Sequence, residues 1–348
     1  MIEIKKLIRK NILELVPYSS ARDEFMGEAI LLDANENPYN QPYNRYPDPL
    51  QMTLRDRISG LYSVPGSKIF MGNGSDEAID LLIRIFCEPG RDRIIVIQPS
   101  YGMYKVCADV NNVAVDFTLL NTDFTLDAGR ALEKVREETK MVFLCSPNNP
   151  TSNLLAEKEI IRVLEGFRGI VVIDEAYVDF CQGAGLTSLL GEYKNLVLLR
   201  TLSKAWGLAA IRIGVALGDP EIMVYLNNVK YPYNLNILSQ EKALEMLDER
   251  GKKDAWVKLI LDEKQKLIPA LEDLLFVLNV FPSDANFLLI KVDDPDGLYN
   301  FLQSGGVIVR NRSKLPLCQG CLRITVGTEE ENARLLNLMR LWNNEKNN

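Results

Sequence analysis

Short apolar runs alternate with amphipathic stretches through the first two thirds of the chain. The runs are rich in β-branched residues and are bounded by turn residues, a pattern typical of buried strands. Strands are predicted at 93–97, 113–119, 141–145, 170–174, 196–200 and 212–217, with helices between them at 78–86, 128–137 and 158–167. This alternation predicts an α/β fold in which helices cover both faces of a mainly parallel sheet.

The pattern changes near residue 241. A helical stretch at 254–275 is followed by shorter predicted strands at 286–292, 306–310 and 322–326, and then by a terminal helix. These elements indicate a smaller α+β domain. The predicted organisation is therefore an N-terminal arm at 1–30, a large domain at 31–245 and a small C-terminal domain at 246–348.

The composition of the chain excludes several classes of binding surface and catalysis. The chain has 348 residues, a formal net charge of −7 and no histidine. The excess of negative charge argues against a nucleic-acid-binding surface. The absence of histidine excludes Ser-His-Asp and Cys-His catalysis as well as histidine-ligated zinc. Any general base must then be a Lys, Asp, Glu, Tyr or Cys side chain.

Six cysteines are present, most of them in apolar segments where a thiol packs as a small hydrophobic group. Cys318 and Cys321 form a single Cys-x-x-Cys pair, and the lack of a second pair or of any histidine argues against a zinc site. A redox role stays open, although two plain loop thiols are the simpler interpretation. The N-terminus lacks the apolar core of a signal peptide, and no apolar run reaches membrane-spanning length. We therefore expect a cytoplasmic protein that contacts no membrane.

Lys204 follows the predicted strand 196–200, at the end of a strand where open α/β sheets bind their ligands. A lysine amine becomes nucleophilic once burial or neighbouring cations lower its pKa. Ser203 and Arg212 flank it and can hold a phosphate. A lysine beside a phosphate cup indicates a Schiff base with pyridoxal 5'-phosphate (PLP). The competing interpretation is an ordinary Ser-Lys turn facing solvent.

Asp174 ends the fully apolar run 170–174, where a carboxylate is costly to bury without a partner. A pyridinium nitrogen is a suitable partner, because the ionised acid keeps that nitrogen protonated. A magnesium-binding acid, as in nucleotide hydrolases, is the rival interpretation. That class requires a phosphate-binding GxxxxGK[ST] loop, which this chain lacks.

Three further segments carry polar or aromatic residues in positions that suit a ligand. Residues 71–77 form a glycine-rich turn before a helix, with Ser75 or Asp76 predicted as N-cap, and such a helix start suits a phosphate. Asn149 lies between two prolines after the strand 141–145, and Tyr101 follows the strand 93–97. Taken alone, the two turn segments are equally consistent with ordinary turns, and Tyr101 with a packing residue.

Seven short motifs, each weak by itself, together form a specific pattern because of their order and spacing. They lie at 16–22, 33–38, 45–49, 72–77, 174–180, 202–205 and 322–328. Through them the chain resembles the fold type I PLP-dependent aminotransferases, and within them the histidinol-phosphate aminotransferase family. The resemblance spans almost the whole chain. It implies a PLP-transferase fold with a seven-stranded, mainly parallel sheet in the large domain and a smaller α+β domain.

The resemblance also implies roles for the residues around the cofactor. Lys204 would form the Schiff base and move the proton between substrate and cofactor. Asp174 would pair with the pyridinium nitrogen, and Tyr101 would stack on the ring. Asn149 and Tyr177 would bind the ring hydroxyl, with Asn149 also near the substrate.

The remaining roles concern phosphate and substrate. The cofactor's phosphate would be held by Gly74, Ser75, Asp76, Ser203 and Arg212. Tyr46 would reach the site of the neighbouring subunit, so the resemblance implies a homodimer with shared active sites. Arg323 would hold the glutamate carboxylate, while Arg310 and Tyr18 would recognise the substrate's phosphate. Both arginines lie in predicted strands that we expect to be neighbours, and arginine suits bidentate binding of either anion.

Two positions depart from the family pattern, since Ser152 and Ala210 stand where glycine is usual. The implied reaction interconverts histidinol phosphate plus 2-oxoglutarate with imidazole-acetol phosphate plus glutamate, in histidine biosynthesis. An aromatic amino-acid aminotransferase, or another PLP enzyme acting on a phosphorylated amino acid, is the alternative within enzymes. A ligand sensor of a transcription regulator would need a fused DNA-binding module and a basic face. A dehydrogenase would need a GxGxxG turn after its first strand, which this chain lacks.

Overall fold

The computed structural model describes residues 2–18, 30–181, 183 and 185–346. Residues 19–22 of the first motif lie outside this part of the chain. The large sheet contains the strands β1 (Ile69–Asn73), β2 (Arg93–Gln98), β3 (Ala114–Leu119), β4 (Thr139–Cys145), β5 (Ile170–Asp174), β6 (Leu196–Thr201) and β7 (Ile213–Gly218). Their order across the sheet is β1-β7-β6-β5-β4-β2-β3. Strands β2 to β6 pair in parallel, whereas β7 is antiparallel to both of its neighbours. The predicted α/β fold with a seven-stranded, mainly parallel sheet is confirmed.

The described part of the chain contains eleven α-helices. They are α1 (Lys10–Leu13), α2 (Met52–Tyr62), α3 (Ser75–Phe86), α4 (Met103–Val110), α5 (Ala128–Leu132), α6 (Glu157–Gly166), α7 (Pro220–Val229), α8 (Ile237–Asp248), α9 (Arg250–Glu272), α10 (Pro295–Ser304) and α11 (Glu329–Lys346). Short 3-10 turns lie at Ile4–Leu7, Gly66–Lys68, Val178–Phe180, Thr187–Gly191 and Ala209–Ile211. No helix of the described ranges is long and apolar enough to cross a membrane.

The central strands are buried on both faces, which explains their unbroken apolar sequences. In β5, Val171 and Ile173 face the core formed with α2, α5, α6 and α8. Ile170 and Val172 face the opposite core, formed with α3, α4 and α7. Alternate residues of a strand point to opposite faces, so one apolar run serves both cores.

Beyond α9 the chain forms a second sheet from β8 (Val277–Val280), β9 (Phe287–Val292), β10 (Arg310–Asn311) and β11 (Cys321–Thr325). The order is β10-β11-β9-β8, and all neighbours are antiparallel. A separate apolar core lies between this sheet and the helices α9, α10 and α11, with members such as Leu271, Ile290 and Met339.

Some predicted boundaries were wrong. The strand predicted at 306–310 begins only at Arg310, because Gly306 has a positive φ of 77° and Ile308 is largely exposed. The helix predicted at 128–137 ends at Leu132. Strand β1 was not predicted, since its segment was interpreted as part of a glycine-rich turn.

Candidate active site

A cavity of about 230 Å³ opens where the parallel strands β4, β5 and β6 end, next to the small sheet. Parallel strands bring their carboxyl ends to one edge, so polar residues that follow them converge there. The lining residues are Ser75, Asp76, Tyr101, Cys145, Asn149, Asp174, Ala176, Tyr177, Thr201, Ser203, Lys204, Arg212, Arg310, Arg312 and Arg323. The structure thus brings together every predicted site residue except Gly74, Tyr18 and Tyr46.

Asp174 is the buried acid of the cavity, only 3% exposed at the end of β5. Its Oδ2 accepts a hydrogen bond of 2.8 Å from the Tyr104 hydroxyl, and its Oδ1 accepts one of 3.0 Å from the backbone N–H of Ala176. Burial raises the pKa of the Asp174 carboxyl, while these two hydrogen bonds and the charge of Lys204 oppose the rise. The site therefore contains a carboxylate that a cationic group in the cavity would stabilise.

Tyr104 was missed by the sequence analysis. It is completely buried in α4 and its ring stacks on Phe143 at 4.9 Å between centroids. Its position three residues after Tyr101 was the only local signal, and nothing in the sequence showed that it faces Asp174.

Lys204 follows β6 and its side chain is accessible from the cavity. Its Nζ lies 5.5 Å from the centroid of the Tyr177 ring. Partial desolvation, together with the charges of Arg323 and Arg212, lowers the pKa of the Lys204 amine. A lowered pKa increases the neutral, nucleophilic fraction of a lysine at neutral pH.

The turn from β1 into α3 forms one wall of the cavity. Gly74 has a φ of 75° and donates its N–H to the Arg212 carbonyl at 2.6 Å. The positive φ disfavours a larger residue at this position, and a Cβ on Gly74 would also displace the end of the Arg212 side chain, whose Nη2 would lie 2.6 Å away. Arg212 Nη1 donates to Ser203 Oγ at 3.4 Å, and its Nη2 is 3.6 Å from Asp76 Oδ2.

The prediction of Ser75 or Asp76 as N-cap of this helix was wrong. Gly74 occupies that position, and no side chain caps the helix. Ser75 and Asp76 are already its first residues, because the positive φ of Gly74 turns the chain directly into the helix. Backbone N–H groups at an uncapped helix start favour an anion, which is consistent with the phosphate-binding role predicted for this turn.

Tyr101, Asn149 and Tyr177 lie around the middle of the cavity. The Tyr101 hydroxyl donates to Asp76 Oδ1 at 3.2 Å. Asn149 Nδ2 donates to the Tyr177 hydroxyl at 3.4 Å, and Asn149 Oδ1 accepts from Arg323 Nη1. This chain of contacts connects the end of β4 with the small sheet.

Three arginines form the opposite wall. Arg310 and Arg323 lie directly across from each other in the β10–β11 pair, which confirms the prediction that their strands are neighbours. Arg312 was missed, because it lies beyond the predicted strand 306–310 and directly after β10. Burial and the mutual repulsion of these cations lower the pKa of Arg312 and of Arg323.

Tyr18 and Tyr46 do not line this cavity. Tyr18 is 71% exposed at the end of the described N-terminal segment. Tyr46 stacks on Tyr233 of its own chain, with 4.5 Å between ring centroids, and its N–H donates to Glu36 Oε1. The roles predicted for these two tyrosines remain predictions.

The local backbone accommodates both residues that stand where the family usually has glycine. Ser152 has a φ of 65°, the conformation for which glycine is usual, and its hydroxyl donates to the Thr151 carbonyl at 2.6 Å. Ala210 lies in the 3-10 turn Ala209–Ile211. Cys318 and Cys321 are buried free thiols, and no cluster of described Cys, Asp or Glu side chains could hold a metal ion.

Comparisons with known proteins agree with this geometry. The family described as aminotransferase class I and II matches residues 21–338. Histidinol-phosphate aminotransferase of Parabacteroides distasonis is 54% identical, over 98% of this chain and 99% of the relative. The enzyme of that name from Bacteroides fragilis is 52% identical, over 98% of this chain and 100% of the relative.

Solved structures show the same fold. Histidinol-phosphate aminotransferase from Clostridium acetobutylicum superimposes with a TM-score of 0.81 at 24% identity, covering 87% of this chain and 92% of that one. The enzyme of that name from Sinorhizobium meliloti, in complex with pyridoxal-5'-phosphate, gives a TM-score of 0.79 at 20% identity, covering 86% of this chain and 83% of that one. This chain therefore belongs to the class I and II aminotransferases, within the histidinol-phosphate aminotransferase family.

Proposed function

We propose that this protein is a PLP-dependent transaminase that interconverts L-histidinol phosphate and 2-oxoglutarate with imidazole-acetol phosphate and L-glutamate in histidine biosynthesis. The observation that carries the proposal is one cavity lined by a lysine, a buried acid and the start of a helix, with three arginines on the opposite wall. Membership of the family supports the same conclusion.

The residues of the cavity fit PLP in charge and in donor type. Asp174 is a buried carboxylate that forms no ion pair with any described side chain, so it suits a protonated ring nitrogen. The start of α3, Ser203 and Arg212 supply N–H and hydroxyl donors for a phosphate. Tyr177 and Asn149 offer donors for the ring hydroxyl, and Tyr101 offers an aromatic face.

When bound, the cofactor supplies an electron sink that stabilises negative charge at the substrate carbon bearing the amino group. The Lys204 amine carries the proton, since its lowered pKa lets Nζ accept a proton and return it. Asp174 would stabilise a positive charge on the group that faces it, and the hydrogen bond from Tyr104 orients the carboxyl and opposes the rise of its pKa. The uncharged side chains of Cys145 and Thr201 also line the cavity.

The arginines suit the alternating substrates. Histidinol phosphate has a phosphate and no α-carboxylate, whereas glutamate has two carboxylates, so the same wall must bind a phosphate and a carboxylate in turn. The guanidinium group pairs with both through parallel N–H donors. We assign the carboxylate to Arg323 and the phosphate to Arg310, with Tyr18 as a further donor.

We also propose that the active protein is a homodimer with shared sites. Tyr46 does not line the cavity of its own chain, and the extended segment that carries it exposes Ile30, Leu32 and Tyr43 by 89%, 88% and 55%. An apolar surface of this kind suits burial against a second copy. All six cysteines are free thiols, which supports the proposal that the enzyme works in the reducing cytoplasm.

The test is to measure the two half-reactions separately in single turnovers. The purified protein should react with histidinol phosphate and with glutamate, and more slowly with phenylalanine and tyrosine. Faster reaction with the aromatic amino acids would contradict the proposal and favour the aromatic aminotransferase alternative.

A further inference from the structure

Arg310, Arg312 and Arg323 form a cluster of three cations on one face of the small sheet. Arg310 and Arg323 are paired across β10 and β11, and the N–H of Arg312 continues the ladder by donating to the Cys321 carbonyl at 2.9 Å. Residues two apart on a strand share a face, so Arg312 points to the same side as Arg310. All three side chains line the cavity.

No described acid compensates the charge of this cluster. Among the described residues, no carboxylate lies within ion-pair distance of these three side chains, and the acids of the cavity, Asp76 and Asp174, are engaged on its other wall. The Nε atoms of Arg312 and Arg323 are buried without any hydrogen-bond partner. Like charges on directly opposed strand positions destabilise a sheet, and a buried unpaired donor adds to that cost. Such an arrangement is expected where a ligand supplies the missing negative charge.

A carboxylate and a phosphate differ in the number of arginines that they can engage. A carboxylate has two oxygens, which one guanidinium fork can satisfy. A phosphate monoester has three terminal oxygens and close to two negative charges at neutral pH. Arg323 donates through Nη1 to Asn149 Oδ1, and its guanidinium fork is enough for the glutamate carboxylate assigned to it. Arg312 is then left for the additional oxygen and charge of a phosphate.

We propose that Arg312 is a specificity-determining residue that binds the substrate's phosphate and contributes little to binding of the glutamate carboxylate. This inference rests on the proposed function and deepens it. It predicts that the advantage of a phosphorylated substrate over its phosphate-free form depends on this side chain.

The experiment compares Arg312→Gln and Arg312→Lys with the parent enzyme on histidinol phosphate, histidinol and glutamate. We expect Arg312→Gln to lower kcat/KM for histidinol phosphate about 10- to 100-fold, the range for loss of a charge-assisted hydrogen bond. The values for histidinol and glutamate should change less than about threefold. Arg312→Lys keeps the charge and should recover part of the loss.

Inorganic phosphate gives a second readout that needs no phosphorylated substrate. As a competitive inhibitor against glutamate it should bind about tenfold more weakly to Arg312→Gln than to the parent. Lys314→Gln is the matched control, because Lys314 is an exposed cation of the same loop and does not line the cavity. This variant should resemble the parent in every assay.

The possible results separate the two proposals. A parent enzyme that fails to transaminate histidinol phosphate refutes the proposed function. A parent that does so, combined with an Arg312→Gln variant that loses equal activity on histidinol phosphate and histidinol, or with unchanged phosphate inhibition in both Arg312 variants, refutes the role of Arg312.

Discussion

Replacing Arg200 by methionine should destabilise the protein strongly, because this arginine belongs to a buried ion pair beneath the active site. Its Nη2 and Nε lie 2.7 and 2.8 Å from Glu175 Oε2, and the two side chains are 9% and 1% exposed. The second oxygen, Glu175 Oε1, accepts the N–H of Leu186 at 2.9 Å. The guanidinium also lies 5.0 Å from the centroid of the Tyr62 ring. The pair thus joins the residue after Asp174 to strand β6.

The size of the effect follows from burial. Removing one partner of a buried ion pair leaves the other charge without compensation, which typically costs about 3–5 kcal/mol in the free energy of unfolding. Arg200→Met should fall in this range. Glu175→Met should cost at least as much, since it also leaves the Leu186 N–H without an acceptor. The double variant should lose only about 1–3 kcal/mol, because no charge remains buried and one N–H is unsatisfied.

The deficit of Arg200→Met should depend on pH. Burial raises the pKa of the Glu175 carboxyl, and Arg200 opposes that rise. Without the arginine, the folded protein holds a proton on Glu175 at higher pH than the unfolded chain does. The folded state is then favoured as pH falls, so the deficit should be larger near about pH 8 than near about pH 6.

Urea denaturation followed by circular dichroism, at one protein concentration and with saturating PLP, measures these differences. Arg162→Met is the matched control, because Arg162 pairs with Glu159 at the same 2.8 Å while being 56% exposed. It should cost less than about 1 kcal/mol. A double variant less stable than either single variant, or an Arg200→Met loss no larger than that of the control, would show that the buried pair is not the stabilising element.

The remaining predictions concern the chemistry of the site. Borohydride reduction of the yellow holoenzyme should bleach it and leave the cofactor attached to Lys204, as peptide mass mapping would show; an adduct on another lysine would overturn the assignment. Asp174→Ala should retain bound PLP but lose several kcal/mol of transition-state stabilisation in single-turnover assays, and transamination within tenfold of the parent would contradict its role. Mixing the inactive variants Tyr46→Ala and Lys204→Ala should restore activity through dimers with one intact site, so a lack of recovery despite proven subunit exchange would argue against shared sites.

The sequence by itself determined six of the seven strands of the large sheet and the candidate site residues at the ends of two of them. A strand covered on both faces needs an unbroken apolar run, and such a run is visible without knowledge of its partners. The end of such a run marks the edge of the sheet, which is why Asp174, the last residue of β5, and Lys204, which follows β6, could be singled out. The absence of histidine likewise restricted the chemistry through composition alone.

Elements with weaker hydrophobic patterns were harder to predict from the sequence. Strand β1 has five residues and contains Gly72, so local propensity favoured a turn. Its place in the sheet comes from pairing with β7, whose sequence lies more than a hundred residues away. The antiparallel direction of β7 is equally invisible in its apolar sequence, because burial alone does not encode strand direction.

Only the tertiary structure decided which side chains meet in the cavity. Tyr104 reaches Asp174 across 70 residues of sequence, and Arg323 reaches Asn149 across 174. These contacts depend on strand order and on how the small sheet packs against the large one. Local periodicity reports whether a residue is buried, whereas the identity of its neighbour is set by long-range packing. For this reason Tyr104 and Arg312 appeared as site residues only once the chain was folded.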